Sequence, residues 1–214
     1  MPLILYHKIN ESTFLGAWKI DETTENLRKQ LYLDENDENC FASFGNELRK
    51  KHWLSYRLIL QELLKPKNIK IIYDEYGKPR MPDFEGYFSV SHSGDLSAAI
   101  VSNEIPVGID IERIRARIER VAERFLSKGE QEQIGNSDRL EKLHIYWGAK
   151  ESLYKLYGKP DVDLQKDIRI EPFDYLCIGE GSCRARMNTP EGVGFYNIFY
   201  RKIEDYMLVW AVRH

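Results

Sequence analysis

Val107-Gly108-Ile109-Asp110-Ile111-Glu112 alternates apolar and other residues without a break. With the period of two that a strand imposes, Val107, Ile109 and Ile111 face a core, and Gly108, Asp110 and Glu112 share the opposite face. Two carboxylates so placed repel unless a cation, a proton or a basic partner separates them. Gly108 removes a side chain beside them and leaves room for another group to approach the backbone. Two readings are open. One is a hard-cation site, in which Mg²⁺ is held by one or two carboxylates together with substrate phosphates. The other is a solvated edge carrying two ordinary acids.

A third acid lies in Trp147-Gly148-Ala149-Lys150-Glu151-Ser152-Leu153-Tyr154-Lys155. In a helix Trp147, Glu151 and Lys155 share one stripe, and Lys150 stands three residues beyond Trp147. An exposed Glu151–Lys155 pair is worth only about 0.2–0.5 kcal/mol. A half-buried stripe, which Trp147 favours, would instead demand a cation or a hydrogen bond for Glu151. Groups that could meet phosphate occur in three places: Lys78 and Arg80 in the turn Gly77-Lys78-Pro79-Arg80, the Ser91 hydroxyl and His92 imidazole at the end of Phe88–Gly94, and Arg49, Lys50 and Lys51 at a helix entry, with Arg57 later on it. Each cluster also reads as ordinary charged surface. Ser91-His92 is poor evidence of a nucleophile–base pair, because adjacent strand residues point to opposite faces.

The elements that must position these groups follow from periodicity. Leu3–Tyr6 reads as a strand, and the acidic run Asp34–Glu38 as solvated helix or loop surface. Leu48–Leu64 reads as a helix stopped by Lys65-Pro66-Lys67-Asn68. Ile69–Tyr73 is a short strand, and Phe88–Ser91 with Ser97–Ser102 a hairpin around Ser93-Gly94-Asp95. Val107–Glu112 is the next strand, followed by helices over Arg113–Leu126, Glu130–Ile134 and Leu140–Leu156. Strands return at Ile168–Ile170, Tyr196–Arg201 and Met207–Val212. The fold class is therefore α+β, and the chain divides most readily into 1–104 and 105–214.

Composition limits the function. The 214 residues suit one domain or two small halves, and 43% hydrophobic residues with 12% aromatics are enough for a core. A formal charge of −3 argues against a bulk nucleic-acid binder. No apolar run reaches the ~20 residues of a membrane span. The start Met1-Pro2-Leu3-Ile4-Leu5-Tyr6 is too short for a signal h-region and has no cationic leader, so a cytoplasmic location is expected. Cys40, Cys177 and Cys183 form neither a paired framework nor a zinc pattern.

Taken in order, four segments resemble the 4′-phosphopantetheinyl transferases of the larger, surfactin-synthetase-activating type. The segments are Gly77-Lys78-Pro79, Phe88-Ser89-Val90-Ser91-His92, Gly108-Ile109-Asp110-Ile111-Glu112, and Trp147 to Lys155 with its Lys150-Glu151 step. The likeness spans about Arg49 to Lys155. It departs from the family at Ser89, where Asn is usual, and before Phe44, where relatives tend to be basic and this chain is acidic.

The resemblance implies two similar α/β halves related by a pseudo-twofold, with a coenzyme A cleft between them. It implies transfer of the phosphopantetheine arm of coenzyme A to a serine of an acyl or peptidyl carrier protein, with release of adenosine 3′,5′-bisphosphate. Mg²⁺ would sit on Asp110 and Glu112, with Glu151 as third ligand or as base; Asp110, Glu151 and Lys155 are the catalytic set. Lys150 and Lys155 would hold the pyrophosphate, Lys78, Ser91 and His92 the 3′-phosphate end, and Arg80 would be a further coenzyme contact. Arg49 and Lys50 would add coenzyme contacts. A monomer would suffice, with no nucleic acid or membrane as partner. The alternatives are a non-catalytic coenzyme A or carrier-protein binding module of this fold, and a metal-dependent phosphoester hydrolase.

Two features stay double. Ser127-Lys128-Gly129-Glu130 reads as a capping box or as an acid near the metal. Arg113, Arg117, Arg120 and Arg124 read as a steering stripe for an acidic carrier protein or as a plain solvated face, opposite Ile114, Ile118, Val121 and Phe125.

Overall fold

The computed structural model describes residues 3–65 and 69–213; the helix stop expected at Pro66, Lys67 and Asn68 lies outside the described residues. The chain divides into two compact units, Met1–Glu104 and Ile105–His214. Both mix antiparallel sheet with helix, so the fold is α+β.

The first unit contains β1 (Leu3–Lys8), β2 (Thr13–Lys19), α1 (Thr24–Arg28), α2 (Glu35–Ser43), α3 (Glu47–Leu64), β3 (Ile72–Tyr73), β4 (Pro79–Arg80), β5 (Tyr87–Ser93) and β6 (Leu96–Ser102). Its four-stranded sheet runs β1-β2-β6-β5, and β3 pairs only with β4. Asn46 caps α3, accepting from the backbone of Arg49, and the helix ends at Lys65 in the left-handed region, φ +59°. Its apolar face is Trp53, Leu54, Leu58, Ile59 and Leu63 rather than a stripe beginning at Leu48, which is exposed. The acidic run is also less solvated than expected. Asp34 caps α2 and Asp37 is buried, pairing with Arg57 at 3.1 Å. The Arg57 guanidinium lies 3.4 Å over the Trp53 ring and donates to the Tyr56 hydroxyl, so this cation is a core group and not a ligand for solvent anions.

The second unit contains β7 (Val107–Arg113), a 3₁₀ helix (Ala116–Val121), α4 (Ala122–Phe125), α5 (Lys128–Gln133), α6 (Arg139–Tyr157), β8 (Ile168–Ile170), β9 (Glu180–Thr189), β10 (Gly192–Ile203) and β11 (Tyr206–Arg213). The antiparallel sheet runs β7-β11-β10-β9-β8, and α6 packs on its Met207, Val209 and Ala211 face. The single helix expected over Arg113–Leu126 is replaced by three pieces. Strand β7 continues to Arg113, paired with Tyr206, and the following backbone is drawn aside where the Arg115 N–H donates to His144 Nε2. β2 and β9 have no counterpart in the periodicity reading. Along β9 the buried positions are Gly181, Ala185 and Met187, mostly too small to register as an apolar alternation.

Two glycines let α6 lie against the sheet. A Cβ on Gly108 would stand 1.9 Å from the Ser152 carbonyl oxygen, and one on Gly148 would meet the Val209 side chain at 2.6 Å. A further tie is the Ser152 hydroxyl, which donates to Val209 O at 3.1 Å. The face of β7 bearing the two acids is therefore covered by a helix.

Candidate active site

Asp110 reverses the expectation of an outward-facing acid: it is only 4% exposed, because α6 covers its face of β7. Glu112, one pleat further along the strand, is half-buried. Across from them, α6 presents Gly148, Glu151 and Lys155 at the three- and four-residue spacings of one helix face. Gly148 sits so close that its missing Cβ would lie 3.7 Å from an Asp110 carboxylate oxygen. The Lys155 ammonium donates to Asp110 Oδ1 at 2.7 Å and to Ile109 O at 3.2 Å. That pair is partly open to solvent at the lysine, 28% exposed, and closed at the aspartate.

Glu151 shows how the acids feel one another. Burial pushes its pKa above the ordinary glutamate range, Asp110 and Glu112 push it the same way, and Lys155 opposes them. Asp110, Glu112, Glu151 and Lys155 therefore share one electrostatic neighbourhood. The donor set suits a hard divalent cation, since all three are carboxylates and the two strand acids raise the pKa of the third. Among the described residues, however, no three His, Cys, Asp or Glu side chains are drawn together closely enough to cage a metal ion. The acids form a shared face rather than a closed set of ligands.

Lys150 is placed differently from the expectation. It is fully buried, and its ammonium reaches Phe125 O at 2.7 Å, Glu130 Oε2 at 2.8 Å, and Leu164 O and Ile168 O both at 3.0 Å. An ammonium has three protons to donate, and these four acceptors use them. Lys150 thus turns into the core, away from any pyrophosphate. Glu130 is the other half of this knot. It completes the capping box with Ser127 and also accepts from the Ile170 N–H, so its carboxylate is committed to structure.

Trp147 packs edge-on against Phe125, centroids 5.1 Å apart, and lines a groove of about 430 Å³ with Glu112, Arg117 and Arg120. The four arginines of the expected stripe are all exposed. They are carried by the end of β7 and two short helices rather than by one helix, and Arg113 pairs with Asp205 at 2.5 Å.

In the first unit the Gly77 turn is organised by a residue that the sequence did not mark. Asp74 accepts from the backbone N–H groups of Tyr76 and Lys78, and from Arg80 Nε at 3.1 Å. Gly77 supplies the positive φ, +80°. Lys78 is half-buried, and desolvation lowers its pKa, with Arg80 adding to that and Asp74 opposing. Ser91 and His92 separate as strand alternation requires: Ser91 is buried and His92 exposed. Arg49 is exposed with its guanidinium 5.0 Å over Phe44, and Lys50 pairs with Glu47 at 3.3 Å. These groups occupy a helix start, a turn and a strand end of the first unit.

Residues 106–192 match the 4′-phosphopantetheinyl transferase superfamily. The chain is 37% identical over 116 residues to the 4′-phosphopantetheinyl transferase AcpT of Escherichia coli, covering 51% of this chain and 59% of AcpT. It is 35% identical over 145 residues to the 4′-phosphopantetheinyl transferase Sfp of Bacillus subtilis, covering 63% of this chain and 64% of Sfp. The match to the 4′-phosphopantetheinyl transferase gsp of Aneurinibacillus migulanus is 38% over 120 residues and 49% of each chain. In each case less than two thirds of the relative's length is spanned. A solved holo-[acyl-carrier-protein] synthase of Thermotoga maritima aligns with TM-score 0.42 at 18% identity, over 51% of this chain and 64% of that one. No helix of the described residues is long and apolar enough to cross a membrane.

Proposed function

We propose, from the premise that residues 106–192 carry the 4′-phosphopantetheinyl transferase superfamily domain, that this protein moves the phosphopantetheine arm of coenzyme A to a serine of an acyl or peptidyl carrier protein. The observation that carries the reading is the acid face: Asp110 bonded to Lys155 at 2.7 Å, with the Glu151 pKa raised by burial and then by Asp110 and Glu112. A binding module has no need for three acids and a lysine held under a helix at the cost of desolvation.

In the reaction, the carrier serine hydroxyl attacks the β-phosphorus of coenzyme A. A new oxygen–phosphorus bond forms, the bridging phosphorus–oxygen bond breaks, and adenosine 3′,5′-bisphosphate leaves with the electron pair. Positioning and charge neutralisation carry such a displacement. Glu151, whose pKa burial raises above the ordinary carboxylate range, takes the serine proton. Lys155 holds a pyrophosphate oxygen beside Asp110. Asp110 and Glu112 would hold Mg²⁺, which when bound supplies positive charge to the leaving phosphate. His92 and Lys78 engage the 3′-phosphate, with Arg80, Arg49 and Lys50 adding charge at the same end of the coenzyme.

The test is mass spectrometry of an apo carrier protein incubated with coenzyme A, Mg²⁺ and this protein. A gain of one phosphopantetheine arm is expected. Tight coenzyme A binding with no gain on several carriers would replace the proposal with a binding module, and bisphosphate release without a carrier would replace it with a hydrolase.

A further inference from the structure

The imidazole rings of His52 and His92 lie face to face, centroids 4.2 Å apart and planes 13° from parallel. They come from different elements: His52 from the second turn of α3, His92 from the end of β5. His52 is buried and His92 exposed. The His52 Nε2 lies 2.7 Å from Gly94 O. A carbonyl oxygen only accepts, so Nε2 carries the proton. Burial disfavours the imidazolium of His52, although the Gly94 bond opposes this, so the ring presents a neutral π face to its neighbour.

Gly94 belongs to the two-residue loop between β5 and β6, with φ +56°. One side chain therefore grips both the face of His92 and the loop that follows it. A second latch lies three residues further along α3, where the Ser55 and Ser97 hydroxyls are 2.7 Å apart. Ser97 is the cross-strand partner of His92. The strand end carrying His92 is thus fastened to α3 at two points.

We infer that His52 is a positioning residue that holds the His92 imidazole ready for the 3′-phosphate of coenzyme A. The inference rests on the proposed role of His92. A phosphate favours the imidazolium of the ring it meets, and the π face of a neutral ring beneath favours the same charge. A ring already fixed in place loses little freedom on binding, unlike the long side chain of Lys78. His52 touches no coenzyme atom in this account; its effect passes through His92 and the Gly94 loop. Nothing in the four matched motifs contains His52, and only the stack reveals it.

The experiment measures binding of coenzyme A and of 3′-dephospho-coenzyme A to the full chain by titration calorimetry. His52→Ala removes ring and bond; His52→Phe keeps a ring to stack and removes the bond, so it remains informative if the alanine variant does not fold. His92→Ala is the reference. With His52→Ala the Kd for coenzyme A is expected to rise about three- to tenfold, the worth of one lost aromatic pair, and the Kd for the dephospho compound to stay unchanged. His52→Phe should fall between wild type and His52→Ala. Equal weakening of both ligands, or none, would overturn the inference. If His92→Ala erases discrimination between the two ligands while both His52 variants keep it, the role of His92 stands and that of His52 falls. If the wild type does not discriminate, the role proposed for His92 is wrong and the inference goes with it.

Discussion

Asp110, Glu151 and Lys155 sit between a strand and a helix packed so closely that two glycines are required, whereas Lys78, Arg80 and His92 stand on turns and a strand end whose geometry is set by other side chains. The acids of the second unit are held by backbone. β7 and α6 approach until Gly108 would strike Ser152 O, and Asp110 is buried as a by-product of sheet and helix packing. The groups of the first unit are held by side chains: Asp74 organises the Gly77 turn, and the His52 ring stacks on His92. A charge site built on main-chain packing tolerates little change around it. One built on side-chain props can be loosened one contact at a time.

The sharpest way to break this contrast is Asp110→Asn. It keeps the shape, removes the charge that Lys155 neutralises, and should lower transfer by about a hundredfold or more. Because Asp110 is buried, Asp110→Ala is expected to disturb the fold as well. It should also lower the denaturant midpoint, while Asn separates the two effects. Transfer within a few-fold of wild type for Asp110→Asn would remove the acid from the chemistry.

Next in size is Lys150→Met. If Lys150 is a core knot rather than a phosphate ligand, the variant leaves Glu130 buried and unneutralised, at about 3–5 kcal/mol of stability. Urea unfolding measures this, and the KM for coenzyme A of the protein that remains folded should not move. A raised KM at unchanged stability would return Lys150 to the pyrophosphate. Gly148→Ala follows, with a methyl group forced onto Val209 for about 1–3 kcal/mol. Its transfer rate should fall further than its stability alone explains, since the same displacement moves Glu151 away from Asp110.

How much of this was legible depended on whether the signal was local. Val107–Glu112 announced both its strand and its acids because alternation is a property of neighbours, and Gly108 announced close packing because glycine in a strand has few other uses. The expected ranges of α6, β8 and β11 lie within two residues of the structure. Burial of Asp110 was not legible: alternation assigns faces but not what covers them, and the partner helix lies about forty residues on. Lys150 and Lys155 are both lysines on one helix, and only their rotational setting against α5 and β7 separates a knot from a site. Asp74 and His52 were missed because each acts on residues outside its own motif, although Gly148 in mid-helix was a signal that could have been used.

The smallest effect expected is also the most specific. Glu151 has a raised pKa chiefly through burial, then through Asp110, with Lys155 pulling the other way and Glu112 adding to Asp110. Removing the Asp110 charge by Asn must therefore lower the Glu151 pKa, and Lys155→Met must raise it. The stability consequence has a definite sign. A carboxyl whose folded pKa exceeds its unfolded value stabilises the fold while protonated, below the unfolded value, and that contribution is lost as pH rises through the folded value. Asp110→Asn should shrink this loss and Lys155→Met enlarge it. Carboxyl-carbon NMR of the metal-free protein reads the pKa directly, and adding Mg²⁺ should lower it, because a bound cation reverses the sign of the local field. If the wild type and the two variants titrate alike, the acids do not share a field, and the contrast between a packed acid face and propped cationic turns loses its electrostatic half.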